Sequence, residues 1–510
     1  MPPLIGTVIG IDIGTQSTKA VLVAADGTIL AQAQHGYAPD TPRPNWAEQH
    51  AAVWLDAVER CIAEVARGRD DIAALCVSSL YGGSGIPVDA DINPLHPCLI
   101  WMDRRAETQV DWVRAHVDLE RLGAITGNGV DSYYGYTKMM WLRDERPEVW
   151  SKTSLLLPPN AYVIQRLTGE IAVDHSSAGN IGGIYDLRAR AWSGEMLDAL
   201  GLPAALMPSR LVDPSDTVGG ITPGVAARLG LRAGTPVMAG GVDAAVATFA
   251  AGVTAPGQHV AMIGTSMCWG YIAPATDAAN RLIAFPYVVG TAEDLYVFGG
   301  AGTAGAAISW FREQFCQAET LAARERGIDP HRLLDEAAAK VAPGADGIVF
   351  LPYLMGERSP VWDSRASGAF VGLNLFHTRA HLYRAVLEGV TFALRHNMEA
   401  GAKGSAALEA RLIVVGGAAK SDLWMQIIAD VTGYPVWTIR EDVEAAIGAA
   451  RLAALGCGLV RRNDAGWITL VERARPDRVA AELYDEMFAI YAGLYPALTA
   501  SMNKLSSLRR

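Results

Sequence analysis

The first arrangement in the chain that could do chemistry is a carboxylate followed by glycine and small hydroxyl residues: Gly10-Ile11-Asp12-Ile13-Gly14-Thr15-Gln16-Ser17-Thr18-Lys19. A tight turn built this way leaves backbone N–H groups free to point at an anion. Asp12 could hold a divalent metal through water, the mode Mg²⁺ prefers. The same residues would also make an ordinary hairpin with glycine at its bend. The pattern recurs in Gln258-His259-Val260-Ala261-Met262-Ile263-Gly264-Thr265-Ser266-Met267-Cys268-Trp269. Two such turns near the starts of two halves imply a duplicated α/β unit with nucleotide phosphates clamped between.

Other residues could serve the same chemistry. In Val237-Met238-Ala239-Gly240-Gly241-Val242-Asp243-Ala244-Ala245 a strand ends, two glycines turn the chain and Asp243 opens a helix. Asp243 is either an N-cap or a general base in a cleft between halves. The strand-like run Ile72 to Ser79 ends at Tyr81-Gly82-Gly83-Ser84-Gly85, a common place for a ligand in α/β proteins and also a plain loop. Trp101-Met102-Asp103 could offer a sugar an apolar face and a hydroxyl acceptor, or Asp103 and Arg104 could form a surface ion pair at a helix start.

Gly300, Gly302 and Gly305 satisfy G-x-G-x-x-G, and Glu325 follows about 20 residues on, as a dinucleotide fingerprint asks. However, residues 304–326 read as one continuous helix, so Glu325 ends no strand. A glycine-rich helix start serves ATP as well as NAD. In Leu412-Ile413-Val414-Val415-Gly416-Gly417-Ala418-Ala419-Lys420-Ser421 a strand meets a double glycine, which allows close backbone approach to a flat ligand such as adenine.

The elements that must position these residues follow from periodicity. Leu4 to Ile9 and Lys19 to Ala24 read as strands flanking the first turn. An amphipathic helix leads from Asn45 to about Arg67. Tyr133 to Glu145 and Pro159 to Gly169 read as helices, and Glu170 to His175 as a short strand before a flexible Ser176-Ser177-Ala178-Gly179 turn. Leu295 to Phe298 is a strand. Glu444 to Ala450 begins a small-residue helix suited to packing under the double-glycine site. Residues 480–500 form an amphipathic helix and Asn503 to Arg510 are expected to fray.

Composition sets the outer bounds. A chain of 510 residues is too long for one core, so two domains or more are expected. Half the residues are hydrophobic and 19% are charged, which argues against disorder. A net charge of −11 makes nucleic acid or an anionic membrane a poor partner. The six cysteines lie far apart with no C-x-x-C pair, so they read as reduced core residues. No charged and then apolar leader opens the chain. Thr235 to Val253 carries a single charge over 19 residues, but Pro236, Gly240-Gly241 and Asp243 break it, and a strand, a turn and a helix explain it better than a membrane span.

The two hairpins resemble the sugar kinase, actin and Hsp70 superfamily, and nearly the whole chain resembles the FGGY carbohydrate kinases. Gly368-Ala369-Phe370-Val371-Gly372-Leu373, then seven residues, then His381-Leu382-Tyr383-Arg384-Ala385-Val386-Leu387-Glu388 fits that family's C-terminal signature. Lys138 to Glu145 fits most of the N-terminal signature, departing at Gly135, where the family usually has Pro, Ser or Thr.

The resemblance implies α/β architecture: two ribonuclease-H-like domains, 1–250 and 251–510, around a central cleft with a hinge. It implies ATP and Mg²⁺ as cofactors, with Asp12 and Asp243 toward the metal and Asp243 as catalytic base. Gly14, Thr15, Gln16, Ser17 and Lys19 would form the first phosphate loop, and Gly264, Thr265 and Ser266 the second. Gly305, Ser309, Gly417, Ala418 and Ser421 would contact the nucleotide. Tyr81, Gly82, Trp101 and Asp103 would face a small sugar. Within the family the chain looks most like xylulose kinases, but it has Tyr81-Gly82-Gly83 where many carry Met-His-Gly, and Ala244 where Gln or Asn is common. A cytoplasmic enzyme and a homodimer are implied. The rivals are a kinase of ribulose, glycerol or a deoxysugar, and a nucleotide-switched binding protein that lacks a sugar-side acid.

Overall fold

The computed structural model describes residues 6–402, 407–440, 444–461 and 467–508. In the first half β1 (Thr7–Ile13) and β2 (Ser17–Ala24) form an antiparallel hairpin continued by β3 (Ile29–Gly36). Helix α1 (Ala51–Val65) follows, then β4 (Ile72–Ser79), α2 (Gly135–Glu145), α3 (Pro159–Thr168) and α4 (His175–Asn180). β5 (Thr217–Gly220), β6 (Pro236–Met238) and α5 (Asp243–Ala250) complete it. The six strands lie in the order β5-β6-β4-β1-β2-β3, with β1, β4 and β6 parallel. β1 is apolar almost throughout because both its faces are covered. Ala51, Trp54, Val58, Cys61, Ile62 and Val65 give α1 the buried stripe that a 3.6-residue period predicts.

The second half repeats the plan. β7 (His259–Ile263) and β8 (Met267–Ala273) form the second hairpin, followed by β9 (Ile283–Pro286) and β10 (Leu295–Ala301). Helices α6 (Gly305–Phe315), α7 (Gln317–Arg326), α8 (Pro330–Ala338) and α9 (Arg379–Ala402) come next. β11 (Leu412–Gly416), α10 (Asp422–Thr432), β12 (Val436–Ile439), α11 (Ala445–Gly456), β13 (Leu470–Ala474) and α12 (Arg478–Leu508) finish the chain. The seven-stranded order is β9-β10-β8-β7-β11-β12-β13. In each sheet a central strand has its hairpin partner antiparallel on one side and a later strand parallel on the other.

Several local expectations change. The first strand runs to Ile13, so Asp12 lies on the strand and only residues 14–16 turn; Leu4 and Ile5 lie outside the described residues. Ser176 to Gly179 belong to helix α4, because the Asp174 carboxylate caps it by accepting from Ser177 N at 2.8 Å. β10 continues through Gly299 and Gly300, where Gly300 N donates to the Ser359 hydroxyl at 2.7 Å.

The helix expected over 304–326 breaks at Cys316 (φ −124°, ψ 41°). Phe311 and Cys316 are both fully buried, and on one unbroken helix they would point about 140° apart. The small-residue helix α11 does not pack under the double-glycine turn. It lies on β1 and α5, so closely that a Cβ at Gly10 or Gly448 would collide with facing backbone. α11 and α5 thus share one hydrophobic core with strands of both sheets. The C-terminal helix holds its form through Leu508, with Met502 buried; residues 509–510 lie outside the described residues. No helix among the described residues is long and apolar enough to cross a membrane.

Candidate active site

β1 and α5 bring Asp12 and Asp243 together where the two halves meet. Val242, in extended conformation, is the N-cap of α5, and Asp243 is its first helical residue. The Asp243 side chain accepts from the adjacent Ala244 N at 2.6 Å, which is not the reach of a cap to the second or third turn residue. The N-cap reading of Asp243 is therefore corrected. Asp12 accepts from the Ser78 hydroxyl at 2.9 Å. Burial raises both carboxyls above their ordinary range, and the charge of Asp243 raises Asp12 further.

The first hairpin connects sideways to the loops of its own half. Trp101 Nε1 donates to the Thr15 hydroxyl at 3.0 Å, and Gln49 Nε2 to the Thr15 carbonyl at 2.9 Å. The Ser17 hydroxyl accepts from Gln34, and Gln16 is exposed. Lys19 is not free to meet a phosphate: its Nζ pairs with Glu444 at 2.5 Å, tying the hairpin to the start of α11.

On the sugar side, Gly82 (φ +89°) lies between Trp101 and the Tyr133 ring, where a Cβ would stand 3.1 Å and 3.0 Å from them. Only glycine fits this backbone and this gap. Lys138, fully buried, donates to the Gly82 carbonyl at 2.5 Å and the Tyr133 carbonyl at 2.7 Å, holding both loops. Burial, and then Arg104, pull its amine down to about 7. Tyr133 neighbours Asp243, Cys268 and Arg358, and the Arg358 guanidinium lies 5.6 Å over the Trp101 ring. The Asn180 amide faces Tyr133, yet its oxygen and nitrogen make no hydrogen bond of normal geometry.

Two expected sugar residues face elsewhere. The Asp103 carboxylate is fully buried and occupied: it accepts from Ala47 N at 2.6 Å and pairs with Arg105 at 2.7 Å. Arg105 also pairs with Glu48 at 2.6 Å and stacks 3.7 Å over Trp46. Asp103 thus fixes a loop, because Arg105 behind it is the nearer partner. The Tyr81 ring is 3% exposed, packed in the core on the side of Cys98 and Asp174, with its hydroxyl unpartnered.

In the second half, Gly264, Thr265, Gly305, Ser309, Gly417, Ala418 and Ser421 line one cavity of about 1120 Å³. Ser266 sits at the hairpin bend, and its carbonyl accepts from Gly264 N at 3.0 Å. The start of α6 is not an open anion site: Ala304 and Ala306 N–H donate to the Thr265 carbonyl, and Gly305 N–H to that of Gly264. At Gly264 a Cβ would meet nothing, so the hairpin presents bare backbone to open space. Ser421 caps α10, accepting from Trp424 N at 3.0 Å. Ile308, Trp310, Tyr383, Leu387 and Trp424 contribute apolar surface to the same cavity.

Asp335, on α8, also lines this cavity, and neither it nor Tyr133, Asn180 or Arg358 was singled out from sequence. Tyr383 lies inside the signature 381–388, and Arg358 follows a glycine turn, Gly356-Glu357, so both carried a signal. Asn180 directly follows Ser176-Ser177-Ala178-Gly179, whose small residues read as a flexible turn and carry no signal for it.

Asp12 and Asp243 offer hard carboxylate oxygens whose mutual repulsion a cation would relieve, a donor set that fits Mg²⁺. Among the described residues no group of three His, Cys, Asp or Glu could hold a metal, so water and phosphate oxygens would complete the shell.

A duplicated α/β unit, a glycine-hydroxyl hairpin in each half, and a cavity beside the second hairpin define the two-domain fold shared by actin and hexokinase. More narrowly, residues 7–250 match the N-terminal domain of the FGGY family of carbohydrate kinases and residues 259–457 match its C-terminal domain, and the chain belongs to that family. It is 30% identical over 508 residues to a gluconokinase of Bacillus licheniformis, covering 98% of each chain. It is 29% identical over 497 residues to a xylulose kinase of Lactococcus lactis, covering 96% of each. The ligand-bound xylulose kinase of Lactobacillus acidophilus superimposes with a TM-score of 0.90 at 26% identity, over 98% of this chain and all (100%) of the other.

Proposed function

We propose that this kinase transfers the γ-phosphate of ATP to a hydroxyl of D-xylulose, giving D-xylulose 5-phosphate. The observation that carries the chemistry is the placement of two carboxylates, Asp12 on β1 beside the Ser78 hydroxyl and Asp243 at the start of α5, close enough to repel each other. Asp243 accepts the proton of the attacking hydroxyl. A carboxylate raised by burial holds a proton more tightly and is a better base near neutral pH. Asp12 and Asp243 would hold Mg²⁺, which neutralises charge on the transferring phosphoryl group when bound. Gly14, Thr15, Gln16, Ser17 and Lys19 face the phosphates from the first half, and Lys19 must exchange Glu444 for phosphate to take part. Gly264, Thr265 and Ser266 hold them from the second. Gly305, Ser309, Gly417, Ala418 and Ser421 contact the nucleoside. Trp101 and Tyr133 flank Gly82 as an apolar platform for the sugar's carbon face.

The named relatives support this sugar as one of two readings. The second is an aldonic acid such as gluconate: the Arg358 guanidinium beside Trp101 has no ion-pair partner within 4.0 Å among the described residues and could meet a carboxylate. A coupled assay of ADP release across xylulose, ribulose, glycerol, deoxysugars and gluconate decides. Highest kcat/KM for xylulose supports the first reading, a preference for gluconate moves the assignment to the second, and no turnover with any acceptor rejects both.

The same proposal divides the chain into an N-terminal domain, 1–250, with the sugar and the base, and a C-terminal domain, 251–510, with the nucleotide. It places the enzyme in the cytoplasm as a homodimer, which sedimentation velocity would test.

A further inference from the structure

We propose that Asp335 reads the base of the phosphoryl donor, its carboxylate accepting a hydrogen bond from the exocyclic amino group of adenine. This rests on the nucleotide reading of the cavity between the second hairpin and α8. On α8, His331, Arg332, Asp335 and Glu336 line the cavity, as does Ala339 just after the helix, while Leu334 and Ala338 turn into the core. Asp335 therefore sits mid-face. It stands beside apolar lining, because its Oδ1 accepts from the hydroxyl of Tyr383 at 3.1 Å and the Tyr383 side chain lines the cavity too.

The chemistry around Asp335 selects for a flat donor-bearing ring. Ile308, Leu387 and Trp424 offer surface and no acceptor of comparable strength. The Ser421 hydroxyl is the other donor directed at the Asp335 carboxylate. Two donors leave lone pairs of an ionised carboxylate free. Arg332, which lines the cavity from the same helix, is held by Glu336 at 3.2 Å, and Arg312 is held by His331 at 3.0 Å and Glu313 at 2.9 Å. Among the described residues no Lys or Arg lies within ion-pair distance of Asp335. A half-buried acceptor with free lone pairs rewards an N–H group and repels a carbonyl in the same place. Adenine presents the amino group at its 6-position, while hypoxanthine and guanine present an oxygen there.

The test is an NDP-release assay at fixed sugar with ATP, purine riboside triphosphate, ITP, GTP and 2′-deoxyATP. Removing a hydrogen bond to a charged group should cost about tenfold or more in kcat/KM. The wild type should then favour ATP over purine riboside triphosphate by that factor. Asp335→Ala should bring the two level, and Asp335→Asn, which can donate to the 6-oxygen, should raise ITP relative to ATP by about tenfold. The sugar KM and melting temperature should stay put in both variants. Equal loss with every nucleotide, a change confined to 2′-deoxyATP, or a wild-type preference for GTP would each overturn the assignment. A wild type that uses ATP but ignores the amino group removes only the role of Asp335. A wild type that uses no nucleoside triphosphate removes the donor reading and this assignment with it.

Discussion

Replacing Asp243 by Asn removes one charge and little else, and the structure states what should follow. Among the described residues the side chain's only hydrogen bond is from Ala244 N, which an amide oxygen can accept equally well. Val242 holds the N-cap position, so the start of α5 does not depend on a carboxylate at 243. The folded-state affinity of Asp243 for a proton is raised by burial. A carboxyl whose pKa is higher folded than unfolded lowers stability once pH exceeds its unfolded value, and that cost disappears in acid. A neutral Asn avoids it, so the melting temperature at pH 7 to 8 should hold or rise. Turnover should behave oppositely. A sugar hydroxyl is a poor nucleophile at neutral pH, and general-base assistance is worth on the order of 10²–10⁴-fold. Steady-state ADP release at saturating ATP and sugar gives turnover, calorimetry gives ATP affinity, and differential scanning fluorimetry gives the melting temperature. The expected pattern is a fall of that size in turnover, an affinity for metal-free ATP within about threefold, and no loss of stability. Turnover near the wild-type value would refute the base assignment, and a large fall in melting temperature would show that Asp243 holds structure after all.

Three other perturbations separate structure from recognition. At Gly417 a Cβ would meet nothing nearer than the Ile263 carbonyl at 3.8 Å, so Gly417→Val should fold normally. Its methyls enter the cavity, and calorimetry should show ATP affinity down by roughly tenfold or more with sugar affinity unchanged. Asp103→Asn leaves Arg105, 1% exposed, with Glu48 as its remaining charge partner; denaturation should show a loss of roughly 3 kcal/mol while the preference order across sugars stays the same. For Lys138, with its amine lowered to about 7 when folded, the unfolded chain binds the proton more tightly between pH 7 and about 10. Stability from this group therefore rises with pH across that window, by at most about 1.4 kcal/mol per unit. Lys138→Met should remove that rise in urea-denaturation midpoints measured from pH 7 to 9, and an unchanged slope would mean the amine stays charged in the fold.

What could be read from the chain was whatever one short segment encodes by itself. The hairpin at 258–272 and the strand at 72–79 follow from local signals, apolar runs and a hydroxyl at a turn, while the seven expected nucleotide-side residues that line one cavity rested largely on the family resemblance. Asp103 and Lys19 show why such signals stop short. Each sits in a segment suited to a ligand, but a distant partner helps occupy it: Ala47 N, 56 residues from Asp103, shares that carboxylate with the adjacent Arg105, and Glu444 is 425 residues from Lys19. No periodicity encodes a contact of that span. The same limit explains α11, whose alanines and glycine announce close packing but not against what; Gly10, at the far end of the chain, is the complementary half of that message. Asp335 is the clearest case. In sequence it is one acid on an ordinary amphipathic helix, and it becomes a recognition element only when Tyr383, 48 residues on, places a hydroxyl against it inside the cavity. Residues that bind through backbone are thus legible, because the glycines that expose backbone are local. Residues that bind through side chains become legible only after folding has assigned the other claimants on each charge.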